Sequence, residues 1–227
     1  MAKKTYFVTG TDTDAGKTLM ACGLLEKARQ QGLRTVAVKP VAAGCERTAD
    51  GLRNDDALLL QDAMTMVLPY EQINPVAFEP PLAPHIAAMR EDKTLSVSRL
   101  EGFCRGVTVQ ACDLALIEGA GGWLVPLNPR ETLADLAKTL QAPVILVVGM
   151  KLGCINHALL TVQAIARDGL PLAGWVANKI DRDMDAYEEN LMTLKTLIDA
   201  PLLGEVPFLV DANKSAAAEH LSVSALL

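Results

Sequence analysis

From Gly10 to Thr18 the chain reads Gly-Thr-Asp-Thr-Asp-Ala-Gly-Lys-Thr. Glycine-rich backbone there can aim N–H groups at a polyphosphate, Lys17 can reach the outer phosphates, and the Thr18 hydroxyl can ligate Mg²⁺. An apolar run (Tyr6, Phe7, Val8) precedes the segment and a helix-like run (residues 19–28) follows it. That strand, loop and helix layout sets the segment apart from a chance Gly-Lys-Thr on a surface loop. Five residues separate the glycines, where the usual pattern has four. Asp14 stands inside the loop, and carboxylate beside triphosphate is repulsive, so its side chain is expected to face a cationic substrate or solvent. The motif implies that a nucleoside triphosphate is handled. It leaves open whether the phosphate drives a reaction or a switch.

Other residues could complete such a site. Glu118 ends an apolar run, where a carboxylate can accept Mg²⁺ directly or through water. Asp56 opens a helical pattern and is a third candidate oxygen ligand, although a helix cap explains it as well, and Asp55 fits that cap equally. Lys39, one residue past a strand and followed by Pro40, could offset charge on a transferring phosphoryl group. Its plain alternative is a surface lysine at a sheet edge. Residues 149–156 lead into a helix whose first N–H groups could bind a carboxylate or phosphate, or simply turn the chain. His157 is read as structural. His85 and His220 have no partner at metal or triad spacing. Asn178-Lys179-Ile180-Asp181 matches the N-K-x-D base-recognition motif of GTPases, which leaves ATP and GTP both open.

The elements that must hold these residues are apolar runs at 6–9, 35–38, 114–117, 144–148, 172–177 and 202–206. Helical patterns at 18–31, 56–63, 97–109, 133–140, 155–168 and 185–198 separate most of them. Gly32 and Gly169 sit where helix C-caps belong. Continuous apolar strands alternating with helices predict an α/β fold, a P-loop NTPase-like parallel sheet with helices on both faces. Ligands of such sheets bind at the carboxyl ends of the strands, which is where all these candidates fall. The proline-rich stretch 69–84 is expected to be a loop on that same face.

The 227 residues fit one domain, residues 1–227, and a chain of this size buries roughly 70–75% of its extended surface. Net charge is −6, which argues against a general nucleic-acid or anionic-membrane binder. The five cysteines show neither C-x-x-C nor metal-ligand spacing and are expected as reduced thiols of a cytoplasmic protein. The start lacks a signal peptide's apolar stretch. No apolar run is long enough to span a bilayer.

The chain resembles the dethiobiotin synthetase family along nearly its whole length. The resemblance rests on TYFVTGTDTDAGKT at 5–18, KPVAAG at 39–44, DGLRNDDALLLQ at 50–61, NPVAF at 74–78, APHI at 83–86, IEGAGGW at 117–123, PVILVVGMKLGCINHALLT at 143–161, GLPLAGWVAN at 169–178 and APLLGEVP at 200–207. The stretches at 117–123 and 147–161 distinguish the family from partitioning ATPases and nickel-insertion GTPases, and the extra loop residue is normal for it. The resemblance implies ATP- and Mg²⁺-dependent conversion of 7,8-diaminononanoate and CO₂ to dethiobiotin, ADP and phosphate, a ligase step of biotin biosynthesis. One amine captures CO₂ as a carbamate, the carbamate attacks the γ-phosphate, and the second amine closes the ureido ring.

Carried over by resemblance, Lys39 is the catalytic lysine, aided by Lys17. Thr18, Asp56 and Glu118 look like Mg²⁺ ligands. Asp14, Ala15, Gly16, Lys17, Thr18 and Leu19, with Asp56, Glu118, Gly119, Ala120 and Gly121, look like nucleotide contacts. Asn178, Lys179, Pro207, Phe208 and Leu209 match the base end. Thr13, Lys39 and Ala43 look like substrate contacts. The family is homodimeric, and its substrate carboxylate is received by the helix start of the other subunit, here Gly153, Cys154, Ile155 and Asn156. Two departures stand out. Ala43 replaces a serine of enterobacterial members, which removes a hydroxyl contact worth on the order of 1 kcal/mol, and Asp14 replaces a frequent, longer Glu. Both are expected to be tolerated. The alternative is a P-loop GTPase or ATPase switch, or a metallochaperone-type nucleotidase. It gains from N-K-I-D but lacks His and Cys metal-handling tracts and an amphipathic C-terminal membrane helix.

Overall fold

A computed structural model describes residues 3–227. In chain order the elements are β1 (Lys4–Gly10), α1 (Lys17–Gln30), β2 (Thr35–Val38), β3 (Glu46–Thr48), β4 (Gly51–Arg53), α2 (Asp55–Ala63), α3 (Tyr70–Ile73), α4 (Pro84–Arg90) and α5 (Val97–Thr108). There follow β5 (Leu114–Glu118), α6 (Leu133–Leu140), β6 (Val144–Met150), α7 (Cys154–Arg167), β7 (Leu172–Lys179), α8 (Tyr187–Leu197), β8 (Leu202–Val206), α9 (Lys214–Glu219) and a 3₁₀ turn (Ser224–Leu226).

Six strands form one sheet in the order β2-β5-β1-β6-β7-β8, and every pairing within it is parallel. Strand residues alternate faces, and β6 shows the consequence. Ile145 and Val147 join the larger core with α1 and α5, while Leu146, Val148 and Met150 pack with Ala158 of α7 and Leu191 and Leu194 of α8. Because each strand is apolar on both faces, helices must cover both. The predicted α/β architecture is therefore the observed one.

The order of strands places the chemistry. β1 lies between β5 and β6, so its carboxyl end is the crevice where successive connections diverge, the favoured ligand position in such sheets. β5 carries Glu118 beside it, and the edge strand β2 carries Lys39 one strand further out.

Several local expectations shift. The strands at 144–148 and 172–177 each run two residues further, to Met150 and Lys179. The cap of α2 is neither Asp55 nor Asp56 but Asn54, whose side-chain oxygen accepts the Ala57 N–H at 3.3 Å. That frees Asp56 for the site. The stretch 69–84 is not a plain loop: it contains α3 and the first residue of α4, and only Pro81 to Pro84 line the main cavity. The small β3–β4 hairpin, α3, α4, α9 and the 3₁₀ turn have no counterpart in the sequence reading. Gly32 and Gly169 have φ of +76° and +77°, as C-cap glycines should. All five cysteines are free and buried. Among the described residues no helix is long and apolar enough to cross a membrane.

Candidate active site

The loop between β1 and α1 is built to receive an anion. Among the described residues, the backbone N–H groups of Asp14, Ala15, Gly16, Lys17, Thr18 and Leu19 have no acceptor, whereas Thr13 N–H is taken by Asp12 Oδ1 and Met20 N–H by Gly16 C=O. Consecutive free donors at a helix start form a phosphate cradle. Gly16 holds the turn at φ +86°, and a Cβ there would stand 2.2 Å from Asn178 Nδ2. Asp14 is also left-handed, at φ 59°, and its side chain is exposed, which fits a carboxylate kept off the phosphates.

Two lysines face the loop. Lys17 Nζ donates to the Asp12 carbonyl at 3.1 Å. Burial pulls its ammonium below the usual lysine value, only partly offset by Glu118, and the nearby Lys39 charge adds to the depression. Lys39 is 4% exposed, and its ammonium lies 2.7 Å from both Asp56 Oδ2 and Glu118 Oε1. Burial alone would lower its pKa, but the two carboxylates overcome that and raise it to about 12. Burial pushes the Asp56 carboxyl up, yet Lys39 wins and holds it below the usual value. Lys39 is therefore a fixed cation, unsuited to act as a base. It is no surface lysine.

Glu118 is 1% exposed. Its Oε1 takes both Lys39 and the Thr18 hydroxyl, the latter at 2.8 Å, and its Oε2 has no hydrogen-bond partner among the described residues. A buried carboxylate oxygen left unpaired is costly, and a cation beside Thr18 would satisfy it. The donor set of Thr18, Asp56 and Glu118 is all oxygen. Among the described residues no group of three His, Cys, Asp or Glu gathers anywhere. Two carboxylates and a hydroxyl, completed by phosphate oxygens and water, suit Mg²⁺ and its preference for few protein ligands.

Most of these residues line one cavity of about 1010 Å³, with the buried Glu118 and Ala15 behind its wall. Thr13, Asp14, Gly16, Lys17, Thr18, Leu19, Lys39, Ala43, Asp56, Ala120 and Gly121 all line it, as the sequence reading expects of one site. Gly119 lies just behind, where a Cβ would meet the Phe7 ring at 3.1 Å. Part of the wall was missed. Leu59 and Asp62 of α2 and Asn213, Lys214 and Ser215 close one side, and Lys214 Nζ joins Asp62 Oδ2 at 2.6 Å. The only signal for it was Asn213, which caps α9 through Ser215 and Ala216.

The remaining candidates lie apart from this cavity. Asn178 Nδ2 donates to the Ala15 carbonyl at 2.9 Å, so its first task is to brace the phosphate loop. Lys179 lies over the Tyr187 ring at 4.9 Å. Asp181, the fourth residue of N-K-I-D, is exposed, and its Oδ1 accepts the Asp183 N–H within its own turn. Pro207 and Phe208 are exposed and Leu209 half-buried beyond β8. None of residues 153–156 lines the cavity of its own chain. At the start of α7, Cys154 N–H is taken by the Lys151 carbonyl and His157 N–H by that of Gly153, while Ile155 and Asn156 N–H have no backbone acceptor. Cys154 is 1% exposed, so its thiol is not presented to solvent.

Residues 4–216 match a family model described as an AAA domain. Over all 227 residues the chain is 62% identical to the ATP-dependent dethiobiotin synthetase BioD of Cellvibrio japonicus, covering 100% of this chain and 99% of that one. The chain belongs to the dethiobiotin synthetase family. Proteins of the same description from Pseudomonas paraeruginosa and Aeromonas hydrophila are 56% and 49% identical, covering 97% and 99% of both chains respectively. Among solved structures, a ParA family ATPase from Chlorobium tepidum matches at a TM-score of 0.57 and 14% identity, covering 98% of this chain and 92% of that one. The septum site-determining protein MinD from Pyrococcus horikoshii matches at 0.52 and 17%, covering 96% and 87%. These two likenesses show the P-loop fold alone. Family membership makes the protein an ATP-dependent ligase and sets aside the switch and metallochaperone readings that N-K-I-D had raised.

Proposed function

We propose that the protein uses ATP to join CO₂ to 7,8-diaminononanoate and close the ureido ring of dethiobiotin. The observation that carries this reading is the arrangement of Lys39. It is a buried lysine paired with two carboxylates beside the free N–H cradle, in a cavity with room for more than a triphosphate.

One substrate amine attacks CO₂ and loses a proton to give a carbamate. A carbamate oxygen attacks the γ-phosphorus, ADP leaves, and a carbamic-phosphoric anhydride forms. The second amine then attacks the carbonyl carbon, the carbon–oxygen bond to phosphate breaks, and phosphate departs with the ring closed. The first two steps gather anionic oxygens in one place. Lys17 and the residue 14–19 N–H groups take the phosphates, and Lys39 faces the carbamate and the transferring phosphoryl group. The protons leave to solvent or phosphate. Thr18, Asp56 and Glu118 would hold Mg²⁺, which when bound would offset phosphate charge.

Around this centre we assign the finer contacts. Thr13 and Ala43 border the diamine, Asn178, Lys179 and residues 207–209 border the base, and Gly119 to Gly121 complete the phosphate wall. A second copy of the chain supplies the start of α7, whose free Ile155 and Asn156 N–H groups suit the substrate carboxylate. Gly153 provides the turn, at φ +91°. A homodimer with the site at its interface follows, acting in the cytoplasm without nucleic acid or membrane.

The test is phosphate release from ATP and Mg²⁺ with and without diamine and bicarbonate. Release that needs both, with product of the dethiobiotin mass, supports the proposal. Release indifferent to the diamine sinks it.

A further inference from the structure

Lys39 stands one residue beyond β2, the edge strand of the sheet, so no ladder holds it. Its backbone is instead gripped from α3. Lys39 N–H donates to the Ile73 carbonyl at 2.7 Å. Its carbonyl, on the peptide to Pro40, accepts from Asn74 Nδ2 at 2.8 Å, and the same amide group reaches the Val76 carbonyl at 3.2 Å. Asn74 is 4% exposed and its side chain is fully used, because Oδ1 accepts the Tyr70 hydroxyl at 3.2 Å.

That hydroxyl connects to the other half of the site. Tyr70 Oη accepts the Asn54 backbone N–H at 2.7 Å, and Asn54 caps the helix that carries Asp56. Arg53 lies over the Tyr70 ring at 4.2 Å and keeps it seated. Two buried side chains thus join the backbone of Lys39 to the first turn of α2. Neither lines the main cavity, so neither can touch substrate there.

We infer that Asn74 and Tyr70 are positioning residues, which set the Lys39 ammonium against Asp56 for phosphoryl transfer. The inference rests on Lys39 being the phosphoryl-transfer lysine. The nucleotide cradle is carried by β1 and α1 and has no bond to either residue, so the two functions should separate on mutation. A shift of Lys39 by about 1 Å misaligns the reacting atoms and costs on the order of 100-fold in turnover.

The experiment compares Asn74→Ala, Tyr70→Phe, the double variant and Ile73→Val, a core truncation on the same short helix. Turnover, ATP dissociation constant, thermal midpoint and a crystal structure are measured for each. Asn74→Ala should lose roughly 30-fold or more in kcat while ATP affinity stays within about threefold. The Lys39 to Asp56 separation should open beyond contact. Tyr70→Phe should lose less, and the double variant less than the product of the two, since the pair shares one hydrogen bond. Ile73→Val should lose thermal stability and keep its kcat. Unchanged kcat in both single variants, ATP affinity falling in step with kcat, or an equal loss in Ile73→Val would each overturn the inference. If Asn74→Ala fails to fold, Tyr70→Phe decides by the same criteria. An inactive wild type would instead fail the functional reading, and the crystallographic separation still judges the positioning.

Discussion

Lys39 Nζ and Glu118 Oε1 meet 2.7 Å apart at the ends of neighbouring parallel strands, both nearly sealed from water. A buried ion pair adds little net stability over an apolar pair, but removing one member strands the other and is strongly destabilising. The pair therefore does two things. It holds a cation ready beside the phosphate cradle, and it makes that cation expensive to lose.

Replacing Lys39 with Met should abolish turnover and also cost about 3 kcal/mol or more in stability, because the buried Glu118 loses its cationic partner. The double variant Lys39→Met, Glu118→Gln should regain part of that stability and none of the activity. Chemical denaturation of the four proteins, read as a double-mutant cycle, checks this. Additive losses would show that the two side chains are energetically independent.

The pH dependence has a definite sign. Lys39 is raised in the folded state, so its stabilisation is fully present below its unfolded value of 10.5 and is lost as pH rises through about 12. In the protein without Mg²⁺ or ATP that contribution should hold below pH 10.5, as denaturation at stepped pH would show. Lys17 is shifted the other way, by burial, so it loses its proton before an ordinary lysine does. Apparent ATP affinity should weaken on the alkaline side while Lys39 remains charged. ATP titrations at stepped pH test it, and an affinity flat to pH 10.5 would argue against the Lys17 depression.

Gly16 is held by two constraints at once, a left-handed backbone and the Asn178 amide 2.2 Å from where a Cβ would be. Gly16→Ala should cost about 2 kcal/mol or more and weaken nucleotide binding. Adding Asn178→Ala removes the clash but not the strain, and it also frees the Ala15 carbonyl. Calorimetric ATP binding should therefore recover only in part. Full recovery would reduce Asn178 to a space constraint.

The parallel sheet and the phosphate loop were legible because the strands are built on continuous apolar runs and most end in distinctive chemistry. Lys39, Asp56 and Glu118 were legible as candidates, but the sequence could not tell a cap from a ligand at 54–56. Asp55 and Asp56 offered the same oxygen chemistry, and the bond from Ala57 N–H shows that the cap is neither of them but Asn54. The β3–β4 hairpin was hidden because exposed Glu46, Arg47 and Thr48 carry no alternation of apolar residues. The wall formed by Asn213 to Ser215 was hidden because α9 is six residues long and its place at the cavity is set by packing on α1, a contact remote in sequence.

Asp181 completes N-K-I-D in sequence but caps its own turn in the fold. Asp181→Ala should leave turnover with ATP within about twofold, as expected for an exposed residue away from the cavity. Steady-state kinetics with ATP and GTP checks it. A large loss confined to GTP would restore the base-reading role of the motif.

The most direct measurement of the central claim follows one oxygen atom. Freshly dissolved ¹⁸O-labelled CO₂ is mixed with enzyme, diamine, ATP and Mg²⁺, and the phosphate released in the first seconds is analysed by mass. If the carbamate oxygen attacks the γ-phosphorus, inorganic phosphate carries one label for each dethiobiotin formed. Unlabelled phosphate alongside dethiobiotin would contradict phosphoryl transfer to the carbamate, and with it the role assigned to Lys39.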